Sequence, residues 1–334
     1  MNLETQREPF VEAILEWFAA NGRDYPWRRT EDPYAILVSE LMLQQTQVAT
    51  VLERGYFTNW LKKFPNVEAL ASAEEQEVLK AWEGLGYYNR ARNLQKAARA
   101  IVDEHGGEFP RDPSAILALP GVGRYTAGAV ASFAYNLPEP AVDANIARVL
   151  ARLFSFEERI DTTSGQNQLW SWAEELVPED NARDFNSGLM ELGQTYCAAR
   201  VPRCMACPVS EFCAGKDIAE SLPRKKERVK TTPVDEHVVW VVDAGKILLE
   251  PESGSRRQGF WKLPAAAKEE EEAPVLLKMK YGITRYSVTM HVHDADRGAG
   301  DREWFSSEEI EEIPLGSPYK KAIIQLLTSG EDGH

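Results

Sequence analysis

The first 196 residues of this 334-residue sequence contain no cysteine, and none follows residue 213. The sequence also lacks any apolar run approaching the roughly 18 residues of a membrane span. Its N-terminus, MNLETQREPFVEAILEWF, lacks the basic region, apolar core and small-residue cleavage site of a signal peptide. We therefore expect no membrane association and a soluble protein in a reducing compartment, where disulfides are rare.

The four cysteines all lie in CAARVPRCMACPVSEFC, residues 197–213. Such a group is more typical of metal ligands than of disulfides in a reducing compartment. The spacing C-x6-C-x2-C-x5-C runs over Cys197, Cys204, Cys207 and Cys213. A structural zinc site usually divides its cysteines between two separated CxxC pairs, and only the middle two form such a pair. A compact loop of four thiolates also suits an iron–sulfur cluster, so the spacing alone leaves both metals equally open.

The formal net charge of −14 argues against a nucleic-acid partner, because such binding depends on Lys and Arg neutralising phosphates. The charge is unevenly distributed, however. Residues 231–334 carry 12 basic and 19 acidic residues, whereas residues 197–230 carry 8 basic and 4 acidic residues. The segment around the cysteines is therefore a positive island where a polyanion is expected to bind.

The length predicts about two domains, at roughly 100–200 residues each. Residues 1–220 show apolar positions at helical spacing in segment after segment, and one helix is expected to begin at Asp32-Pro33 with an N-cap and a first-turn proline. Residues 221–233 are polar and charged, which is typical of a linker. In residues 234–334, HVVWVVD, KILLEPE and RYSVTMHVH indicate strands, and PYKKAIIQLLTS indicates a closing helix. The sequence therefore predicts a mostly α domain followed by a small α+β domain.

The stretch LALPGVGRYTAGAVASFAY predicts two helices joined by a five-residue turn that contains Gly121 and Gly123. Glycines in so short a turn let the backbone approach another molecule closely. The N-terminus of the second helix offers free N–H groups and a positive dipole end to a phosphate. A plain helical hairpin is the alternative, since helix turns often contain glycine.

LPGVGRYTA nonetheless closely resembles the helix–hairpin–helix of the endonuclease III superfamily of DNA glycosylases. In that superfamily the same cysteine spacing is an iron–sulfur loop, so the resemblance implies a [4Fe–4S] cluster on Cys197, Cys204, Cys207 and Cys213. Within the superfamily the chain is most similar to the MutY-type adenine DNA glycosylases. The similar segments are YPWRRTEDPYAILVSELMLQQTQVATV, GLGYYNRARNL and AVDANIARVLARLF, while GFWKLP resembles a Trp–Pro segment of that family's Nudix-like C-terminal domain.

The chemistry of base removal needs an acid for the leaving adenine and an anion for the positively charged sugar, a division known from glycosidase carboxylates. Glu40 lies in the apolar run AILVSELML, where burial is expected to raise the pKa of its carboxyl and suit it to protonate the adenine. Asp143 precedes NIARVLARLF, where we expect it to cap a helix and to stay ionised through backbone N–H bonds and the helix dipole. The sequence thus predicts an acid and an anion.

The resemblance implies further site residues. Tyr125 would lie near the sugar and Asn145 would hold water or a carboxylate. The lyase relatives carry lysine at position 125, so tyrosine there implies that the enzyme removes the base and leaves the sugar–phosphate intact. A base that leaves the duplex stack leaves a gap that another side chain must fill. Gln45 and either Tyr87 or Tyr88 match the side chains that the family inserts there as a wedge. Packing in the protein core is the alternative interpretation of these residues.

Gly121 and Gly123 would supply backbone donors to a phosphate. In many family members a Phe-Ser-His loop recognises 8-oxoguanine, and our alignment places Ile283-Thr284-Arg285 there, with Tyr286-Ser287 as the competing register. Thr284 and Arg285 would then contact the lesion.

The predicted activity is therefore that of a monofunctional glycosylase in base excision repair. It would act as a monomer on double-stranded DNA that contains adenine opposite 8-oxoguanine or guanine, in the cytoplasm of a bacterium and associated with the nucleoid. The alternatives are a related mismatch glycosylase that removes another base, such as thymine opposite guanine, and a non-enzymatic cluster protein. The last leaves Glu40 and Asp143 unexplained.

Overall fold

The structure, a computed structural model, describes residues 1–227, 230–254, 257–295 and 302–331. The chain divides into two compact units. The first consists of Met1–Ser72 and Asn93–Glu227, and the second of Ala73–Arg92 and Arg228–His334. The domain boundaries expected from the sequence, at residues 220 and 234, stay a prediction. The observed division differs from them in assigning a segment from the first hundred residues to the C-terminal unit.

Helices form most of the first unit, as predicted. The α-helices of the described chain are α1 (Leu3–Asn21), α2 (Pro33–Leu43), α3 (Val48–Glu53), α4 (Tyr56–Lys63), α5 (Val67–Ser72), α6 (Glu75–Ala81), α7 (Asn89–His105), α8 (Pro113–Ala118), α9 (Arg124–Tyr135), α10 (Ala144–Leu153), α11 (Thr163–Leu176), α12 (Ala182–Thr195), α13 (Ser307–Glu312) and α14 (Ser317–Glu331). Short 3-10 turns cover Cys204–Ala206, Ser210–Phe212 and Lys216–Ser221. No helix in the described ranges is long and apolar enough to cross a membrane.

Helix α2 shows how the sequence sets a boundary. Its N-cap is Asp32, whose side chain accepts a hydrogen bond from the backbone N–H of Tyr34 at 3.0 Å, and Pro33 occupies the first turn. The predicted start is confirmed. Every residue from Tyr34 to Met42 is buried, because α2 packs against α9 and α4 within the first unit. A helix that is apolar on all sides belongs in a core.

The core beside α10 has contributions from α1, α11 and α12. Phe10 packs edge-to-face on Phe185, with ring centroids 6.3 Å apart, and also on Phe212 at 5.8 Å. Three of the four cysteines, Cys197, Cys207 and Cys213, pack against the margin of this core. The cysteine loop thus packs on the core around α10, the helix that begins beside Asp143.

The second unit is α+β, as predicted. Its strands are β1 (Thr232–Trp240), β2 (Val242–Asp243), β3 (Lys246–Pro251), β4 (Trp261–Lys262), β5 (Val275–Ile283), β6 (Tyr286–Asp294) and β7 (Glu303–Phe305). One sheet has the order β1-β6-β5, with β1 parallel and β5 antiparallel to β6. In the other, β3 lies between β2 and β4 and also pairs with β7. Val238, Met290 and Val292 share a core with Tyr319 and Ile323 of α14. The predicted Nudix-like character of this unit stays a prediction.

Candidate active site

The predicted hairpin connects α8 to α9. Helix α8 ends at Ala118 with Leu119 as its C-cap, and α9 begins after Gly123. Gly121 has a φ of +75°, and a Cβ there would lie 2.4 Å from the Cβ of Asn93, so both backbone and space require glycine. Nothing lies within 4 Å of a Cβ added at Gly123. The turn therefore leaves its α9 side open, where a phosphate is predicted.

A cavity of about 900 Å³ opens in the first unit beside this hairpin. Its lining includes Glu40 at the end of α2, Tyr125 at the start of α9, and Asp143 with Asn145 at the start of α10. Gln45 also lines it. The fold therefore brings the four predicted catalytic residues to one cavity.

Glu40 is buried, with 5% of its surface exposed, and its Oε2 accepts a hydrogen bond from the hydroxyl of Tyr125. Burial raises the pKa of the Glu40 carboxyl to about 7. The hydrogen bond from Tyr125 and the charge of Arg28 oppose this rise in pKa, whereas the charge of Asp143 adds to it. The raised pKa was predicted from the apolar sequence around Glu40. A carboxyl of this pKa still carries its proton near neutral pH, as an acid catalyst requires.

Asp143 is the N-cap of α10, as predicted. Its Oδ1 accepts hydrogen bonds from the backbone N–H groups of Asn145 at 2.9 Å and Ile146 at 2.7 Å. Its Oδ2 accepts one from Nδ2 of Asn145 at 2.7 Å. Burial nevertheless raises the pKa of Asp143 above its ordinary value, because it outweighs these hydrogen bonds and the charge of Arg148. That Asp143 is ionised at neutral pH stays a prediction. Both carboxylate oxygens are nonetheless held in fixed directions by donors.

Two arginines on one face of α10 connect this carboxylate to the cysteine loop. Arg148 donates from Nη2 to Oδ1 of Asn145 at 2.9 Å and from Nε to the carbonyl of Cys197 at 2.8 Å. One turn further, Arg152 donates from Nη1 to the carbonyl of Cys197 at 3.1 Å and lies 3.3 Å from its Sγ. A chain of hydrogen bonds therefore runs from Asp143 to the first cysteine.

Two thiols of the cysteine loop, those of Cys197 and Cys213, lie beside Arg152 of α10. The thiol of Cys207 interacts electrostatically with the other three thiols, and Cys213 donates from Sγ to the carbonyl of Arg152 at 3.4 Å. Nη2 of the buried Arg152 has no hydrogen-bond partner among the described residues. Within the described ranges, no three His, Cys, Asp or Glu side chains are grouped closely enough to hold a single metal ion. Four thiolates in one loop, two of them beside Arg152, whose Nη2 lacks an acceptor in the described part of the chain, fit a larger anionic group such as a cluster with its own sulfides.

Three functional candidates were missed by the sequence reasoning, namely Arg28, Arg148 and Arg152. Arg28 donates from Nη1 to Oε2 of the buried Glu191 at 2.9 Å, and it lowers the pKa of Glu40. The sequence contained a signal for Arg148 and Arg152. They lie three and seven positions after Asn145 in an otherwise apolar helix, so they share a face of the helix with Asn145. Charged residues in such a helix indicate a buried polar partner.

The predicted wedge residues differ in exposure. Gln45 is exposed at the rim of the cavity and has a φ of +57°. In the second unit, Tyr87 is 52% exposed with a φ of +48°, whereas Tyr88 is only 4% exposed. Tyr88 packs on Phe260, with ring centroids 4.0 Å apart. The structure therefore places Tyr88 in the core, and Tyr87 is the exposed member of the pair.

Thr284 and Arg285 form the tip of the hairpin between β5 and β6, where Ile283 pairs with Tyr286. Both are exposed, and Thr284 has a φ of +51°. Arg285 donates from Nη2 to the hydroxyl of Tyr286 at 2.9 Å, and its backbone carbonyl accepts from the N–H of Thr232 at 2.8 Å. In the competing register, Tyr286 and Ser287 are part of strand β6.

The profile of the HhH-GPD superfamily of base excision DNA repair proteins matches residues 38–175. The adenine DNA glycosylase of Homo sapiens is 46% identical over 220 residues, which cover 63% of this chain and 40% of that protein. The adenine DNA glycosylase of Mus musculus is 44% identical over 213 residues, which cover 61% of this chain and 41% of that protein. The chain thus spans about two fifths of the length of these curated relatives.

Among solved structures, a thermostable thymine-DNA glycosylase is 36% identical, with a TM-score of 0.59. The match covers 64% of this chain and 98% of that one. The helical part of the chain therefore has the fold of a DNA glycosylase, and its predicted hairpin lies inside the matched region. The chain belongs to the HhH-GPD superfamily of base excision DNA repair proteins.

Proposed function

We propose that this protein is an adenine DNA glycosylase of the MutY type, which hydrolyses the N-glycosidic bond of adenine mispaired with 8-oxoguanine or guanine. One observation carries the proposal. A carboxyl whose pKa is raised to about 7 and a carboxylate held by three hydrogen bonds line the same cavity. This pair matches the acid and the anion that cleavage of a base–sugar bond requires.

In the proposed reaction, Glu40 donates its proton to the leaving adenine. Asp143 stabilises the positive charge that develops on the sugar, and Asn145 fixes the direction of that carboxylate. Tyr125 orients Glu40 through its hydrogen bond and lies where a lyase would need an amine. Because position 125 carries no amine, the reaction ends with release of the base and an intact strand.

The partner in this proposal is double-stranded DNA. The open turn at Gly121 and Gly123 would receive a backbone phosphate at the N-terminus of α9. Gln45 and Tyr87 would fill the space that the extruded adenine leaves, which their exposure permits. Thr284 and Arg285 would read the base opposite the adenine. We further propose that the protein acts as a monomer in the bacterial cytoplasm, associated with the nucleoid.

Cys197, Cys204, Cys207 and Cys213 would hold a [4Fe–4S] cluster. When bound, the cluster would supply a fixed, charged centre that orders the loop of residues 197–213. The unpaired Nη2 of Arg152 supports this assignment, because a buried guanidinium nitrogen needs an acceptor. Arg148 and Arg152 would tie the ordered loop to the helix that begins at Asp143.

A related glycosylase that removes thymine opposite guanine is the second candidate. The similarity to a solved thymine-DNA glycosylase favours it, at 36% identity. The deciding experiment incubates the purified protein with duplexes that each contain one mismatch and scores base release by strand breakage after alkali. Release of adenine opposite 8-oxoguanine and guanine, without release of thymine, is expected. Release of thymine alone would overturn the proposal in favour of the second candidate.

A further inference from the structure

The turn that carries Tyr87 belongs to the second unit, although sequence of the first unit flanks it on both sides. Residues Ala73–Arg92, which contain α6 and the stretch GLGYYNR, pack with the C-terminal strands and helices. The exposed tyrosine proposed to enter DNA is therefore held by C-terminal residues.

Tyr87 adopts a conformation that its own chemistry disfavours. Its φ of +48° lies in the left-handed region, which is unusual for a bulky side chain. Such residues keep this conformation only where the surrounding structure determines it, and they concentrate at functional sites. Gly84 and Gly86, which both precede Tyr87, also have positive φ, of 95° and 67°. The turn is therefore tight, and it presents a side chain that is 52% exposed.

Contacts from within the segment fix the carbonyls of this turn. The indole of Trp82 donates from Nε1 to the carbonyl of Gly86 at 3.1 Å. Arg90 donates from Nη2 to the same carbonyl at 3.1 Å and to that of Leu85 at 2.9 Å. The guanidinium of Arg90 also lies 5.7 Å from the ring centroid of Tyr87. These bonds hold the residues before Tyr87 but not the residue after it.

The residue after it, Tyr88, is fixed by the C-terminal part of the chain. Its ring lies against Phe260, which is fully buried, at a centroid distance of 4.0 Å. Its hydroxyl is hydrogen-bonded to the side chain of Ser317 and to the backbone of Gly84. Phe260 is itself fixed by backbone hydrogen bonds. Its N–H donates to the carbonyl of Arg257 at 3.0 Å, and its carbonyl accepts from the N–H of Glu252 at 2.8 Å.

The residues beside Phe260 fasten the flanks of the turn in the same way. The carbonyl of Gln258 accepts a hydrogen bond from Nη2 of Arg92 in α7. Gly259 lies so close to α6 that an added Cβ would be 3.3 Å from Leu79. Lys80, also in α6, donates from Nζ to the carbonyl of Ile313 at 2.9 Å. The segment GFWKLP has no role in the proposed chemistry. It nonetheless contacts residues that precede Tyr87 and residues that follow it.

We propose that Phe260 is a positioning residue for the wedge: by packing on Tyr88 it holds the neighbouring Tyr87 in the left-handed conformation that enters the duplex. This inference rests on the proposed role of Tyr87 in DNA. The C-terminal unit would then position Tyr87 as well as read the base opposite the adenine. Loss of the Phe260 ring would let the turn relax and would slow extrusion of the adenine without touching the acid or the anion.

The test uses the full-length protein and a mismatched duplex with 2-aminopurine beside the adenine, whose fluorescence rises when stacking is disturbed. Stopped-flow traces would be compared for wild type, Phe260→Leu, Tyr87→Ala and the double variant. Phe260→Leu keeps an apolar side chain in the core, and Phe260→Tyr should restore the ring contact. We expect Phe260→Leu to slow the fluorescence rise about tenfold and Phe260→Tyr to recover most of it. Phe260→Leu should have no further effect in the Tyr87→Ala background, because a residue that acts through another loses its effect when that residue is absent.

Phe305→Leu is the matched control, since its ring packs on Trp261 at 4.7 Å and not on Tyr88. It should leave the fluorescence rise within about twofold of wild type. A full effect of Phe260→Leu in the Tyr87→Ala background would overturn the proposal, as would an unchanged rise in the single variant. The fluorescence step precedes bond cleavage, so it tests Phe260 even where no base is released. Failure of the proposed reaction would appear separately, as absence of adenine release by the wild type.

Discussion

Tyr125 donates a hydrogen bond from its hydroxyl to the carboxylate of Glu40, across 85 positions of sequence. A donor to a carboxylate favours the charged form and so lowers the pKa of that carboxyl. Burial acts in the opposite direction and is the larger effect, which leaves the pKa of Glu40 raised to about 7. Tyr125 therefore limits how far burial raises the pKa of Glu40. This balance should be measurable in the dependence of the reaction rate on pH.

We expect the single-turnover rate of adenine release to fall as pH rises above about 7, because Glu40 must be protonated to act as an acid. Tyr125→Phe removes the hydrogen bond, raises the pKa of Glu40 further and moves this fall to higher pH. The measurement is the rate constant from about pH 5 to about pH 10 for both proteins. A fall at the same pH in both would contradict the assignment of Glu40 as the titrating acid.

Glu40→Gln provides the matching control, since it removes the proton donor and little volume. Base release should drop by about 100-fold or more, whereas binding of the mismatched duplex should change little. Near wild-type turnover in this variant would mean that another group protonates the base.

Asp143→Asn tests the anion separately from the helix cap. Asparagine caps a helix about as well as aspartate, so α10 should keep its start and the melting temperature should change little. The negative charge beside the sugar is lost, and we expect base release to fall by about 100-fold or more. Excision and thermal unfolding would be measured on the same preparation. A stable variant that retains its rate would exclude the anionic role.

The residues that sequence predicted best are those whose chemistry is local. Asp32 and Asp143 cap their helices because an oxygen on a short side chain reaches the N–H groups of the next turn. The burial of Glu40 also follows from its apolar neighbours in sequence. The pKa of Asp143 could not be derived in this way, because it depends on how deeply α10 is buried by the helices around it.

The tyrosine pair shows the same limit. Adjacent Tyr87 and Tyr88 are chemically identical, and Tyr88 is the buried one because it contacts Phe260 and Ser317, far along the chain. Assignment of Ala73–Arg92 to the second unit also depends on contacts with residues after 250, which no local pattern reveals. Long-range contacts thus determine which of the two tyrosines is exposed.

Tyr125→Lys should add a strand-cleaving activity. An amine at this position would lie in the cavity with Glu40 and Asp143, where it can attack the sugar and form a Schiff base. Borohydride should then trap a covalent protein–DNA adduct, which denaturing electrophoresis detects, and wild type should give none. Intact base excision without any adduct would indicate that position 125 does not face the sugar.

The iron content tests the cysteine assignment. Protein purified without oxygen should contain about four iron and about four sulfide per chain and be brown. Cys207→Ser should lose most of this iron, whereas Met205→Ala, a change in the same loop at a residue that is 98% exposed, should keep it. Stoichiometric zinc without iron in the wild type would contradict the cluster.

The hairpin tip at Thr284 and Arg285 should carry the preference for 8-oxoguanine over guanine opposite adenine. The proposed catalytic residues lie in the first unit, so the opposite base must be read by another part of the chain. Residues 231–334 carry 12 basic and 19 acidic residues, which makes them a poor general binder of DNA and favours a specific contact. Both tip residues are exposed and carry hydrogen-bond donors.

One hydrogen bond to an edge atom that differs between the two purines would contribute roughly 1–3 kcal/mol of discrimination. Thr284→Ala combined with Arg285→Ala should therefore shrink the ratio of excision rates between the two substrates while excision opposite guanine changes little. Ser287→Ala, in strand β6, is the matched control for the competing register and should preserve the ratio. If both substrates lose activity equally, the hairpin supports the domain and does not read the base. A ratio that changes only in Ser287→Ala would instead move the contact into the strand.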